Sequence, residues 1–184
     1  LAPLVVTGCG DGGVAEEGAE IAVTNSYLGS VVRDLCGPET EILCLTAPGM
    51  CPGHFDISPA QVRQLGRCRM LLLFDFQQKV ESSLVRLKGN GLRTHLVACP
   101  AGLCIPDTYL AMCREAAGLL SAAYPDRATE FATRLAAIEQ RLGGLADELS
   151  ASVQETGVVG AKVLASNHQA KFAEWLGLEV VATF

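Results

Sequence analysis

The chain has 184 residues, 49% of them apolar and 18% charged, which is enough to bury one large core or two small ones and too apolar for disorder. A net charge of −6 withholds the basic face that phosphate binding needs, and 5% aromatics supply few stacking platforms, so nucleic acid is excluded as the main partner. No run of 18 or more apolar residues occurs, so no segment reads as a membrane span.

The first segment, "LAPLVVTGCGDGGVAEEGAE", runs apolar as far as Val6-Thr7-Gly8-Cys9 and then turns small and acidic. That switch at the cysteine reads as the tail of a signal peptide with a lipobox, in which Cys9 is acylated. The bland alternative is a frayed tail with a chance cysteine. On the first reading residues 1–19 are a signal remnant, lipobox and flexible tether. The protein then sits in the periplasm or on the outer face of the cell membrane, held by a lipid anchor.

From Glu20 the pattern becomes regular. "EIAVTN" reads as a strand, "SYLGSVVRDLCG" as a helix stopped by Gly37, and "TEILCLTAPG" as a second strand. The loop "GMCPGHFDI" follows, and Ser58-Pro59 then open a helix with an N-cap and a proline at its first position. "RMLLLFD" is a continuous apolar run, as a strand buried on both faces should be. "QQKVESSLVRLKGNG" reads as a helix, "RTHLVACP" as a fourth strand, and "PDTYLAMCREAAGLLSAAYPD" as a helix ending before Pro125. Strands alternating with helices predict an α/β lobe over 20–125 with a parallel sheet. Ligands of such sheets bind outside the C-terminal strand ends, where Asn25, the loop after the second strand, Asp75 and the Cys99 loop should gather.

In 126–156 Phe131, Leu135, Ile138, Leu142, Leu145 and Leu149 recur at helical spacing in one narrow stripe. A helix of ~30 residues would be ~45 Å long and could join two lobes, although Gly143-Gly144 should cost it roughly 2 kcal/mol. The alternative is an ordinary surface helix. Residues 157–184 give strand, helix and strand, which reads as the beginning of a second α/β lobe that looks incomplete.

Eight cysteines and three histidines are the candidate chemistry. No CxxC pair occurs. Cys36, Cys44, Cys68 and Cys113 lie in apolar periodic segments and read as small core residues or disulfide partners, whereas Cys9, Cys51, Cys99 and Cys104 lie in loops. His54 and His168 each stand where a strand hands over to a helix, one per lobe, as metal ligands clasping two lobes would. Read singly, each is also an ordinary turn histidine. His95 lies inside an apolar strand and reads as a core or edge histidine. Neither a G-x-S-x-G elbow nor a phosphate-binding GxxxxGK[ST] loop is present, and nothing orients His54 as a base for Cys51, so the chain does not read as an enzyme.

Four ordered stretches resemble one family, the substrate-binding lipoproteins of bacterial zinc and manganese ABC transporters, known as cluster A-I. "IAVTNSYLGSVVRDLCG" is similar to its opening strand and helix, and "GHFDISPAQVRQLGRCRMLLLFD" to its first-ligand motif. "YPDRATEFATRLAAIEQRLGGLADEL" resembles its long backbone helix, and "KVLASNHQAKFAEWLGLEVVATF" the segment bearing its third ligand. The resemblance implies a metal-capture protein that delivers a transition metal to an ABC permease, with His54 and His168 as ligands and zinc the favoured metal, manganese and copper being the others. The family's second histidine has no counterpart here, since "CPAGLCIPDTY" stands in its place and Cys104 is the nearest soft donor, with Cys99 behind it. A thiolate in the set tilts selection toward zinc or copper(I). The fourth ligand, a carboxylate, would lie past Phe184. The competing expectation is a lipid-anchored relative of the fold whose metal site is lost or altered and which serves as a thiol, redox or interaction module.

Overall fold

The computed structural model describes residues 18–46, 57–77, 84, 91–99 and 102–184. Its first sheet has four strands, β1 (Ile21–Val23), β2 (Ile42–Cys44), β3 (Met70–Phe74) and β4 (Arg93–Val97), in the spatial order β2-β1-β3-β4. Every neighbouring pair is parallel, with Val23 beside both Cys44 and Leu72, and Phe74 beside Val97. The α/β class read from the alternation is therefore the one adopted. The chain moves outward from β1 to β2 and returns across β1 to β3, so the strand order reverses there and opens a crevice at the C-terminal strand ends.

Both faces of this sheet are covered, which explains why β3 has no polar residue. Met70, Leu72 and Phe74 point into one core with Ile21 and Val23, and Leu71 and Leu73 point into the other with Ala22. All five β3 side chains are buried. Each contributes roughly 1.5–3 kcal/mol relative to exposure.

Three helices form the first core: α1 (Ser26–Cys36), α3 (Pro106–Ala123) and α4 (Ala128–Glu155). They are also tied by charge. The Tyr109 hydroxyl on α3 donates to Asp34 Oδ2 on α1 at 3.0 Å, and Arg141 Nη2 on α4 donates to the same oxygen at 2.7 Å. Burial pushes the Tyr109 hydroxyl well above its ordinary range, so it remains a donor at any ordinary pH. At the same C-terminal end of α1, Arg127 donates to the Cys36 carbonyl at 3.0 Å while lying over the Phe131 ring. Helix α1 stops at Gly37, whose φ of 97° suits glycine and whose absent side chain leaves room for the Arg134 guanidinium.

The second core lies under α2 (Pro59–Leu65) and holds Leu65, Cys68, Leu84 and Leu92. The start of α2 has the expected Ser58 N-cap and Pro59, and Gln61 completes a capping box. Ser58 Oγ accepts from the Gln61 amide, and Gln61 Oε1 accepts from the Ser58 amide. The helix expected over "QQKVESSLVRLKGNG" lies almost wholly outside the described residues.

Helix α4 runs unbroken for 28 residues, about 42 Å at 1.5 Å per residue. A side chain at Gly143 or Gly144 would meet only open space, so the pair leaves the helix intact without being demanded by packing. The apolar stripe is used unevenly: Phe131 and Ile138 are buried, Leu135 and Leu142 rest on the first core, and Leu145 is 44% exposed. Beyond α4, β5 (Lys162–Ala165) and β6 (Glu179–Thr183) pair in parallel, linked by α5 (Ala170–Trp175). This small sheet exposes Leu164, Val181 and Phe184, the last at 80%. Among the described residues, no helix is long and apolar enough to cross a membrane.

Candidate metal site

The crevice at the C-terminal strand ends is built on a buried polar network. Thr24 and Asn25 follow β1, Thr46 follows β2 and Gln77 follows β3, and all four are buried. The Thr24 hydroxyl donates to Gln77 Oε1 at 2.7 Å, and the Phe74 amide donates to the same oxygen at 2.9 Å. Thr46 Oγ1 donates to the Thr24 carbonyl at 2.9 Å, and Asn25 Nδ2 to Thr24 Oγ1 at 3.1 Å. Asn25 Oδ1 accepts from the Leu28 amide as the N-cap of α1. Three strand ends are thus locked together by side chains that would each be costly to leave unpaired.

Asn25 is correspondingly a framework residue. The polar positions that matter most here, Thr46 and Gln77, were not singled out from the sequence. Their only signal was a polar side chain two or three residues past the end of an apolar strand.

The loop bearing Cys51 and His54 (47–56) lies outside the described residues, as does Cys9. Its two anchors are described. At one end Thr46 is bound to Thr24, and at the other Gln61 Nε2 donates to the Leu45 carbonyl at 2.6 Å beside the Ser58 capping box. The loop therefore departs from and returns to fixed points at the crevice.

Asp75 and Cys99 follow adjacent strands at the same end of the sheet. Asp75 is exposed and accepts from the Phe76 amide at 2.9 Å, closing its own turn. The Cys99 thiol is half-buried, and burial, with the Asp75 charge second, pushes its pKa up. The end of β4 is held by Glu115 of α3, which accepts from the Ala98 amide at 2.9 Å.

Cys104 is exposed in the turn before α3 and is a free thiol. His168 is exposed in the turn Asn167–Gln169 between β5 and α5. The two segments approach each other, because a Cβ built on Gly102 would stand 3.1 Å from Lys171 Cβ in the first turn of α5. Among the described residues, no three His, Cys, Asp or Glu side chains gather closely enough to hold a metal.

The other thiols separate as the sequence reading anticipated, though without disulfides among the described residues. Cys36, Cys68 and Cys113 are buried and free, and Cys44 is intermediate and free. Burial pushes the pKa of Cys36 and Cys68 to about 11 and that of Cys113 to about 12, so these thiols stay protonated and inert near neutrality.

His95 is in β4, the edge strand, rather than in the site. Burial, with the Arg93 charge second, pulls its pKa below the ordinary 6.5. A base depressed by folding binds fewer protons in the native state than in the unfolded chain. Its contribution to stability is then complete above the unfolded value and is lost as pH falls from 6.5 toward the lower folded value. His95→Gln is expected to flatten the stability–pH curve in that acid window. Urea melts at several pH values between 5 and 7.5 check this, and an unchanged slope would show that the imidazole is hydrated in solution.

The fold is that of several solved metal-binding proteins. A structure of ZnuA aligns with 90% of this chain and 70% of its own length, at 18% identity and a TM-score of 0.75. Zn(II)-bound AdcA from Streptococcus pneumoniae aligns with 90% of this chain and 39% of its own, at 16% identity and a TM-score of 0.73. An Mn-bound periplasmic metal binding protein from candidatus liberibacter asiaticus aligns with 88% of this chain and 67% of its own, at 11% identity and a TM-score of 0.70. At such identities what the chain shares with them is the fold, and it spans only part of each. No protein-family model and no curated protein sequence matches the chain.

Proposed function

We propose that this chain is a metal-capture protein of an ABC importer, held outside the cytoplasm by lipid on Cys9, and that it is not an enzyme. Its cargo is a transition metal, zinc before manganese or copper, held by His54, His168 and Cys104. The observation that carries this reading is the fold shared with Zn(II)-bound and Mn-bound proteins. Two features of the chain support it. The exposed His168 turn and the exposed Cys104 turn belong to segments that touch, and the His54 loop leaves from locked strand ends. On this reading all three donors belong to loops around one crevice.

Imidazole and thiolate suit zinc, and manganese prefers oxygen donors. Both donor types must be deprotonated to bind, so affinity should fall as pH drops. Cobalt(II) titration tests the donor set. Wild type should bind and show the near-ultraviolet charge-transfer band that thiolate ligation produces. Cys104→Ser should lose the band, and His54→Ala or His168→Ala should each weaken binding by roughly tenfold or more. Histidine variants that bind as tightly as wild type would remove the assignment. Binding without the band in fully reduced protein would remove Cys104 alone.

A further inference from the structure

The Gly102–Lys171 approach goes beyond which atoms bind metal. Gly102 opens the turn that carries Cys104, and its carbonyl accepts from the Ile105 amide at 3.1 Å. Ile105 is buried beneath that turn and precedes Pro106, the first residue of α3, so the turn is seated on the first lobe. Lys171 belongs to α5, in the second lobe. The amides of Gln169 and Ala170 both donate to the Ser166 carbonyl at 2.9 Å, so the turn holding His168 is fastened to the start of α5.

A Cβ on Gly102 would meet Lys171 Cβ at 3.1 Å, tighter than ordinary van der Waals contact, with Ile105 Cδ1 and Lys171 Cγ at 3.9 Å. The atom it meets first is next to the backbone of α5, so the clash cannot be relieved by swinging the lysine's far end aside. Room has to come from a shift of α5 against the Gly102 turn, which changes where the His168 turn stands relative to the first lobe.

We infer that Gly102 is a positioning residue: its missing side chain lets α5 seat against the first lobe and fixes where His168 stands, an inference that rests on the metal reading above. Zinc–nitrogen distances are about 2.0–2.1 Å and a working site tolerates about 0.2 Å. A displacement on the order of 1 Å, which a branched side chain would require, exceeds that tolerance several-fold.

Zinc titration of the full chain tests this with Gly102→Ala, Gly102→Val, His168→Ala and the double variant Gly102→Val/His168→Ala. Affinity should fall modestly for alanine and by roughly tenfold or more for valine. Valine should cost nothing further once His168 is gone, because it acts through that residue. Hydrogen exchange on metal-free protein gives a second reading: the α5 amides should lose protection in Gly102→Val while β3 and α1 keep theirs. Wild-type affinity in Gly102→Val, or an equal loss with and without His168, would overturn the positioning role. A wild type that binds no zinc would overturn the metal reading itself. In that case unchanged α5 protection in Gly102→Val would refute the seating as well.

Discussion

Replacing Gln77 by leucine is expected to lower the unfolding free energy by about 3 kcal/mol while changing the volume of the site little. Gln77 Oε1 accepts from both the Thr24 hydroxyl and the Phe74 amide. Leucine keeps much of the shape and removes the acceptor, so two buried donors lose a partner. Each such orphan costs roughly 1–3 kcal/mol, whereas a hydrogen bond whose two partners are removed together costs far less. The coupling can therefore be measured. Thr24→Val combined with Gln77→Leu should be less destabilised than the sum of the two single variants, since only the Phe74 amide is then left unpaired by the second change. Gln77→Glu, which keeps an acceptor oxygen, should retain more stability than leucine. Urea unfolding of the wild type and these four variants checks this, and a loss below about 1 kcal/mol for Gln77→Leu would mean that water replaces the glutamine. Metal binding should weaken in step, because this oxygen ties the end of β3 to Thr24, whose carbonyl in turn holds Thr46 at the end of β2.

Phe131→Ala is expected to cost about 3–5 kcal/mol, and Leu145→Ala no more than about 0.5 kcal/mol. Both residues belong to the same apolar stripe of α4. Phe131 is fully buried in the first core beneath the Arg127 guanidinium, and Leu145 is 44% exposed. Truncating the ring leaves a cavity among α1, α3 and α4, and it also removes the surface over which Arg127 lies as it binds the end of α1. Denaturant melts of the two variants decide the matter. Equal effects would mean that the distal half of α4 is packed in solution, and that the stripe is one continuous interface.

The contrast along α4 shows where sequence reading ends. The period of 3 and 4 identifies the helix correctly, because amphipathicity is a local property of the chain. It does not say which turns of the helix have something to pack against. That depends on where α1 and α3 stop, and these are contacts between residues far apart in sequence. Leu145 and Ile138 look alike in the pattern, and only the fold separates them.

The candidate site divides in the same way. The two-sided burial of β3, the N-cap at Ser58 and the Gly37 stop were legible because strand burial, N-caps and glycine stops rest on local rules. The loop positions of His168 and Cys104 were legible from their place between predicted elements. The framework that holds the crevice open to them was not. Thr46 and Gln77, read from the sequence only as members of a strand and a helix, carry no visible signal until the parallel register brings the ends of β1, β2 and β3 together. Asn25 invited a ligand role from its place after β1, and the structure commits its side chain to the N-cap of α1 instead.

By itself the sequence determined the α/β class, the order of the described elements, the strand buried on both faces, the long helix and the loop positions of Cys104 and His168. Those follow from periodicity, capping and burial preference, each of which acts over a few neighbouring residues. Only the tertiary structure decided that a threonine–glutamine network fastens the strand ends, and that α4 is anchored by its first half. It also decided that the Gly102 turn touches α5. Each of these is a meeting of segments distant in the chain, fixed by strand register and helix packing, and no local pattern carries that information.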